Sequence, residues 1–153
     1  MTRTPKHLTL SASALVQVWH EADGNSTKAI ARLGTLNHGA WTAVRPVLDE
    51  LEKIDDEAAK AIKDSFPDGF GIPSESVQAK LVEILSAFPE LVDPDDSSPQ
   101  SDLFVIADAA DSGHSPLFSR RHLRSKLLPR AFQDCINQFH IQPKTLEDLK
   151  EHP

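Results

Sequence analysis

The chain has 153 residues, of which 39% are hydrophobic and 25% charged, and its formal net charge is −7. This length suits one ordinary domain with a buried core, and the composition is globular rather than disordered or fibrous. The negative charge argues against a protein that coats nucleic acid with its whole surface, although it leaves room for a local basic patch. No apolar run approaches the roughly 18 residues that cross a bilayer, so we expect no membrane association.

The cysteine content and the N-terminal segment bear on location. Cys135 is the only cysteine, so it cannot form an internal disulfide, and the basic N-terminal segment has no apolar stretch after it. Both features predict a cytoplasmic protein without a signal peptide. Cys135 falls within an apolar helical pattern, which predicts burial as a small apolar side chain. Trp19 and Trp41 are expected to anchor the core.

The first half of the chain alternates short apolar strands with helices. Leu8–Leu10 predicts a buried strand, after which Ser11 or Ser13 caps a helix. Glycine at position 39 ends a second helix, because this residue adopts the left-handed backbone conformation easily. The further elements expected here are a helix over 27–36, a strand over 40–44, a helix opened by Pro46, and a helix opened by the acids at 55–57.

The second half is richer in helices and contains two loops, Pro67–Pro73 and Pro94–Pro99. Its expected elements are a helix from Ser74 or Ser76, a helix over 101–112, a short strand over 116–118, a helix from Pro129 to Asn137, a strand over 139–141, and a helix capped by Thr145 that runs to Lys150. Strands separated by helices predict an α/β fold of three layers, α/β/α, with a short, mostly parallel sheet. An all-helical domain is the alternative, because the strands are short. We divide the chain into an N-terminal tail (1–7), a single domain (8–150) and a C-terminal tail (151–153).

Three segments, in this order and spacing, resemble a known family. They are VLDELEKIDDE (47–57), SDLFVIADAADSGH (101–114) and LLPRAFQDCINQFHIQPKTLEDL (127–149). Together they resemble the PIN-like domain family, and within it a bacterial branch of toxin-type proteins. The resemblance implies the three-layer fold, a toxin–antitoxin or defence-type module, and a metal-dependent endoribonuclease that cleaves RNA with Mg²⁺ or Mn²⁺. The implied partners are RNA and an antitoxin or regulator protein, and a homodimer is also compatible.

The acidic site that this resemblance implies is incomplete. Glu50 and Asp102 match two motif acids, and they would be both the catalytic and the metal-binding residues. Ser11 stands where the family has its first aspartate, and Arg120 and Arg121 stand where a fourth acid often follows. RNA cleavage is therefore expected to be weak or absent, and the alternatives are a catalytically inactive protein- or nucleic-acid-binding module or an unrelated helical interaction domain.

The same residues also have simpler interpretations. Asp102 fits a helix N-terminal cap, Glu50 fits an ordinary helical ion pair with Lys53, and Asp49 is an equally plausible site acid. A basic cluster follows at Arg120, Arg121, His122, Arg124, Lys126 and Arg130. It fits a rim that contacts phosphate, a docking surface for an acidic partner, or a solvated surface. A further hypothesis places the guanidinium of Arg120 or Arg121 beside the two acids, where it would replace a metal ion as counter-charge.

Overall fold

The computed structural model describes residues 7–91, 101–122 and 130–150, without the side chains of Arg130, Ala131 and Lys150. Its strands form one sheet, and they are β1 (Leu8–Leu10), β2 (Trp41–Val44), β3 (Phe70–Gly71), β4 (Ser115–Phe118) and β5 (Lys144–Thr145). Their order across the sheet is β3-β2-β1-β4-β5, and all four neighbouring pairs are parallel. Helices flank the sheet on both sides, so the predicted three-layer α/β/α fold is confirmed and the all-helical alternative is wrong.

The helices connect the strands. They are α1 (Ala12–Glu21), α2 (Ser26–Thr35), α3 (Arg45–Ile54), α4 (Asp56–Ser65), α5 (Glu75–Ala87), α6 (Ser101–Ser112), α7 (Arg130–Gln138) and α8 (Leu146–Lys150). Short 3₁₀ turns follow α2 at Leu36–Gly39 and α5 at Pro89–Leu91. None of the helices in the described ranges is long and apolar enough to span a membrane.

Side-chain caps fix where several helices begin. In each case a side-chain oxygen accepts the backbone N–H three residues further on, at 3.1–3.2 Å. Such a bond satisfies one of the N–H groups that the first helical turn leaves unpaired. The capping residues are Ser11 for α1, Asn25 for α2, Asp55 for α4 and Ser74 for α5. Ser11 is therefore the cap of α1, rather than Ser13.

The core lies between the sheet and the surrounding helices, and α6 packs against β1, β2 and β4. Trp19 is 5% exposed and Cys135 is fully buried, as predicted. Burial raises the pKa of the Cys135 thiol to about 11, because the thiolate would lose its hydration. Trp41 is partly buried against the same core.

Three elements differ from the sequence predictions: the strand expected at Phe139–Ile141, and the strands β3 and β5, which the sequence does not predict. The strand predicted over Phe139–Ile141 is wrong, because this segment closes the end of α7 instead: the N–H of Ile141 donates to the carbonyl of Ile136, and His140 has a φ of 55°. Conversely, β3 lies within the segment predicted to be a loop. The predicted loop at 94–99, Pro129 and most of both tails (1–6 and 151–153) lie outside the described residues.

Candidate functional site

A crevice is expected at the carboxyl ends of β1 and β4. From β1 the chain adds β2 and β3 on one side of the sheet, and it then returns to add β4 and β5 on the other side. In open parallel sheets, ligands bind where the strand order reverses in this way. Ser11 follows β1 and Ser119 follows β4, so these two serines mark the reversal point.

Hydrogen bonds connect the two loops at this edge. The Ser11 and Ser13 hydroxyls lie 3.0 Å apart, and the N–H of Ser119 donates to Ser13 Oγ at 3.1 Å. Ser119 Oγ in turn accepts the N–H of His122 at 3.1 Å, which caps a helical turn that begins at Arg120. Ser11 is fully buried. Ser11 therefore serves as a buried helix cap.

The two predicted acids lie close together beside His122. Glu50 comes from α3, and Asp102 comes from the first turn of α6, which packs against α3. Asp102 Oδ2 lies 2.6 Å from His122 Nε2, while Oδ1 is buried and has no hydrogen-bond partner among the described residues. A contact this short between a carboxylate and an imidazole is a strong, charge-assisted hydrogen bond when the ring is protonated. When protonated, His122 supplies a positive counter-charge at Asp102.

Glu50, rather than its neighbour Asp49, is the acid of α3 that lies near Asp102. Asp49 is half exposed and pairs with Arg45 one helical turn earlier, at 3.4 Å. Glu50 is partly buried, and this burial raises its pKa, with a further increase from the negative charge of Asp102. Ser101 and the positive charge of His122 offset only part of this increase. The raised pKa identifies Glu50 as a carboxylate held where its ionised form is disfavoured.

Arg120 and Arg121 lie in a cleft of about 870 Å³ beside this site. Ser13 and Ser119 also line the cleft, which connects it with the hydrogen-bonded loops. Among the described residues, the side chain that pairs with Asp102 is His122. The counter-charge hypothesised for the guanidinium of Arg120 or Arg121 would therefore come from the imidazole of His122 instead. Arg124 and Lys126 lie outside the described residues, as does the side chain of Arg130.

The wall of the cleft also carries acids. Gln17 Nε2 donates to Glu21 at 2.7 Å and to Glu147 at 2.9 Å, and Glu21 forms an ion pair with Arg32 at 2.6 Å. Burial acts to raise the pKa of Glu147, but its hydrogen bonds and the nearby charge of Arg120 outweigh this effect and lower it. The cleft therefore presents charges of both signs.

A single hard cation fits these residues better than a pair of cations. Mg²⁺ usually takes one or two protein carboxylates and keeps several waters, so Glu50 and Asp102 suffice for one ion. Oδ2 of Asp102 contacts His122, so Oδ1, which is buried in this structure, is the oxygen of Asp102 that a cation would have to reach. Among the described residues, no three His, Cys, Asp or Glu side chains are grouped to hold a metal ion.

Sequence reasoning missed the individual role of His122. It grouped this residue with the neighbouring arginines as one basic cluster, although Ser119 three residues earlier was a signal for a capped turn.

Comparisons with known proteins identify no relative: no protein-family model, no curated protein and no solved structure matches the chain.

Proposed function

We propose that this chain is a PIN-like protein of a bacterial toxin–antitoxin or defence-type module, which binds RNA and cleaves it weakly or not at all. The observation that carries the proposal is the 2.6 Å contact between His122 Nε2 and Asp102 Oδ2. It places an imidazole on one of the two carboxylates that match the family's motif acids. The proposal includes a cytoplasmic location, which the single cysteine favours.

The arrangement of the acids supports this proposal. Glu50 and Asp102 are 52 positions apart in the chain, yet the negative charge of Asp102 contributes to the raised pKa of Glu50 at one edge of a parallel sheet. Crowded carboxylates at such an edge are typical of sites that bind a hard cation. Ser11 contributes a neutral hydroxyl to the neighbouring loop, so the described site has two acids where the family has three or four.

Each residue then has a defined task in the proposed activity. Glu50 and Asp102 would hold one Mg²⁺ or Mn²⁺, and the ion would neutralise charge on the scissile phosphate. Arg120 and Arg121 contact backbone phosphates in the adjacent cleft, which positions RNA without reading its sequence. His122 competes with the cation for Asp102, and this competition limits cleavage.

Ribonuclease assays with added Mn²⁺ test the catalytic part of the proposal. They compare the wild-type protein with a Glu50→Gln, Asp102→Asn double variant on a labelled single-stranded RNA. We expect the two cleavage rates to differ by less than about tenfold, which corresponds to about 1.4 kcal/mol of transition-state stabilisation. A wild-type rate several hundredfold above that of the double variant would contradict a degenerate site.

RNA binding is tested through the arginines of the cleft. Replacing Arg120 and Arg121 by serine should weaken RNA binding uniformly across sequences and reduce the salt-dependence slope by about 1 for each arginine. Arg45→Ser is the matched control, because this exposed arginine lies on α3 and pairs with Asp49. Equal losses in the control and in the double variant would rule out a specific RNA contact by the cleft.

A second candidate function is docking of an antitoxin or regulator protein in the same cleft. The observation that favours it is the mixed charge of the wall, where Glu21 and Glu147 lie near the arginines. A continuous phosphate backbone is repelled by these acids, whereas a protein segment of mixed charge is not. Binding of a peptide that contains both lysine and glutamate is compared with binding of an all-glutamate peptide of the same length: preference for the mixed-charge peptide supports docking of a protein segment, and displacement of RNA by the all-glutamate peptide alone supports a simple phosphate-binding surface. Size-exclusion chromatography tests the homodimer that the resemblance also allows.

A further inference from the structure

A second cavity, of about 290 Å³, lies at the opposite edge of the sheet from the acidic site. Trp41 begins β2 and Gly69 immediately precedes β3, so the cavity is at the amino ends of these parallel strands. Its lining consists of small residues, two aromatic rings, a proline and one acid. These residues are Gly34, Gly39, Trp41, Phe66, Pro67, Asp68 and Gly69. The proposed RNA-binding function makes no use of this cavity.

The two aromatic rings form a fixed corner of the cavity. The ring centroids of Trp41 and Phe66 lie 5.3 Å apart, and the ring planes meet at 67°. Trp41 Nε1 donates to the carbonyl oxygen of Leu33 at 2.8 Å, which holds the indole in its orientation. A cation placed near such rings is attracted by their negative faces, most strongly by tryptophan.

Gly34 is a glycine at a position where the fold does not require one. It lies in the last turn of α2 without a positive φ, and a Cβ built on it would meet no atom within 4 Å. Glycine in a helix costs about 0.5–1 kcal/mol relative to alanine. Gly34 is exposed and lies on the rim of the cavity, so a larger side chain at this position would extend over its opening.

The neighbouring wall is a strained turn. Asn37, His38 and Gly39 follow one another in the left-handed region, with φ values of 49°, 57° and 78°. Non-glycine residues in this conformation cost on the order of 1 kcal/mol or more, and such strain concentrates at ligand-binding positions. The Asn37 amide donates to the carbonyl of Ala40 at 2.9 Å and stabilises the turn.

We propose that this cavity binds an organic cation, an alkylammonium or a guanidinium group. Among the described residues that line it, Asp68 is the only charged one, and the chain as a whole carries a net charge of −7. A carboxylate at the rim together with two aromatic rings is complementary to a positive head group. The volume is near the lower limit for small-molecule pockets, which suits one head group rather than a larger ligand.

Tryptophan fluorescence tests the proposal directly, since Trp41 lines the cavity. A Trp19→Phe background removes the other tryptophan, and this protein is titrated with choline and with its neutral isostere 3,3-dimethylbutan-1-ol. We expect saturable binding of choline and at least about fivefold weaker binding of the neutral compound, as a cation–π contact of about 1 kcal/mol predicts. Equal affinity for both compounds would overturn the proposal.

Matched variants establish the site. Gly34→Leu fills the open space and should abolish choline binding, while a circular dichroism melt checks that the variant is folded. Asp68→Asn should weaken binding about three- to fivefold, and Asp64→Asn, an exposed acid on α4 that does not line the cavity, should leave it unchanged. Unchanged binding in both Gly34→Leu and Asp68→Asn would overturn the assignment.

Capped peptides identify the source of the cation. A peptide with one central lysine or arginine is compared with the same peptide carrying glutamine and with free choline. Preference for the basic peptide over choline assigns the cavity to a protein partner, and preference for choline assigns it to a small metabolite. Failure of every cation to bind overturns the proposal, and it leaves the RNA-binding proposal unaffected because the two sites share no residue.

Discussion

Replacing Ser11 by alanine should destabilise the protein, because Ser11 is the buried N-cap of α1. Its hydroxyl accepts the N–H of Ala14 at 3.2 Å and lies 3.0 Å from the hydroxyl of Ser13. Loss of an N-cap costs about 0.5–2 kcal/mol, and loss of a further hydrogen bond costs about 1 kcal/mol. The site is fully buried, so water does not replace either contact. We expect a decrease of about 2 kcal/mol in the free energy of unfolding.

Thermal and urea unfolding measure this decrease. For a chain of this length, about 2 kcal/mol corresponds to a fall in Tm of about 4–8 °C. Asn25→Ala is the control, since it removes the cap of α2 at an exposed position and should cost less. A Ser11→Ala variant within about 0.5 kcal/mol of wild type would refute the role of Ser11 as a buried cap.

Ser11→Asp extends the same reasoning to the acidic site. Aspartate caps helices about as well as serine, so the start of α1 is retained while a third carboxylate is added. If this edge of the sheet faces the cation, Mn²⁺ should raise the Tm of Ser11→Asp more than that of wild type. A ligand at 100 times its Kd stabilises the folded state by about 2.7 kcal/mol. Equal Mn²⁺ effects on both proteins would show that Ser11 does not face the site.

Three further predictions concern titration and capping. The folded-state pKa of Cys135 is raised from 9.0 to about 11, so the free energy of unfolding should fall as pH rises through this interval. Urea titrations at several pH values measure this fall, and the Cys135→Ala variant should not show it. The raised pKa of Glu50 means that its ionised form destabilises the fold, so Glu50→Gln should raise the free energy of unfolding at pH 7, with no gain well below pH 4.5. Thr145 and Asp148 cap α8 reciprocally: the N–H of Thr145 donates to Asp148 Oδ2 at 2.8 Å, and the N–H of Asp148 donates to Thr145 Oγ1 at 3.4 Å. Thr145→Ala should therefore lower the free energy of unfolding measured in urea by about 1 kcal/mol, and an unchanged value would contradict this.

The parts of the fold that local chemistry determines could be predicted from the sequence. The strand at Leu8–Leu10, the Pro46 helix and the helix over 101–112 follow from apolar spacing, proline and a glycine stop. The strands at Phe70–Gly71 and Lys144–Thr145 could not, because each has two residues and exists only through pairing with a neighbouring strand. Phe139–Ile141 has the composition of a strand, but the left-handed backbone of His140 and the local hydrogen bond from Ile141 to Ile136 place it at the end of α7.

The candidate site was only partly predictable for a similar reason. Glu50 and Asp102 were found through their motifs, whereas His122 lies 20 positions from Asp102 and has no sequence pattern that connects them. Their contact depends on how the turn after β4 meets the start of α6, which is a property of the folded chain. The resemblance to PIN-like proteins remains a prediction.

Binding of Mn²⁺ to the wild-type protein and to a His122→Ala variant tests whether His122 occupies the acidic site. We expect weak binding by the wild-type protein and at least about tenfold tighter binding by His122→Ala, because removing the imidazole leaves both oxygens of Asp102 for the cation. Asp102→Asn should abolish the gain. A tight Mn²⁺ site in the wild-type protein that Asp102→Asn eliminates would contradict the claim that His122 occupies the acidic site.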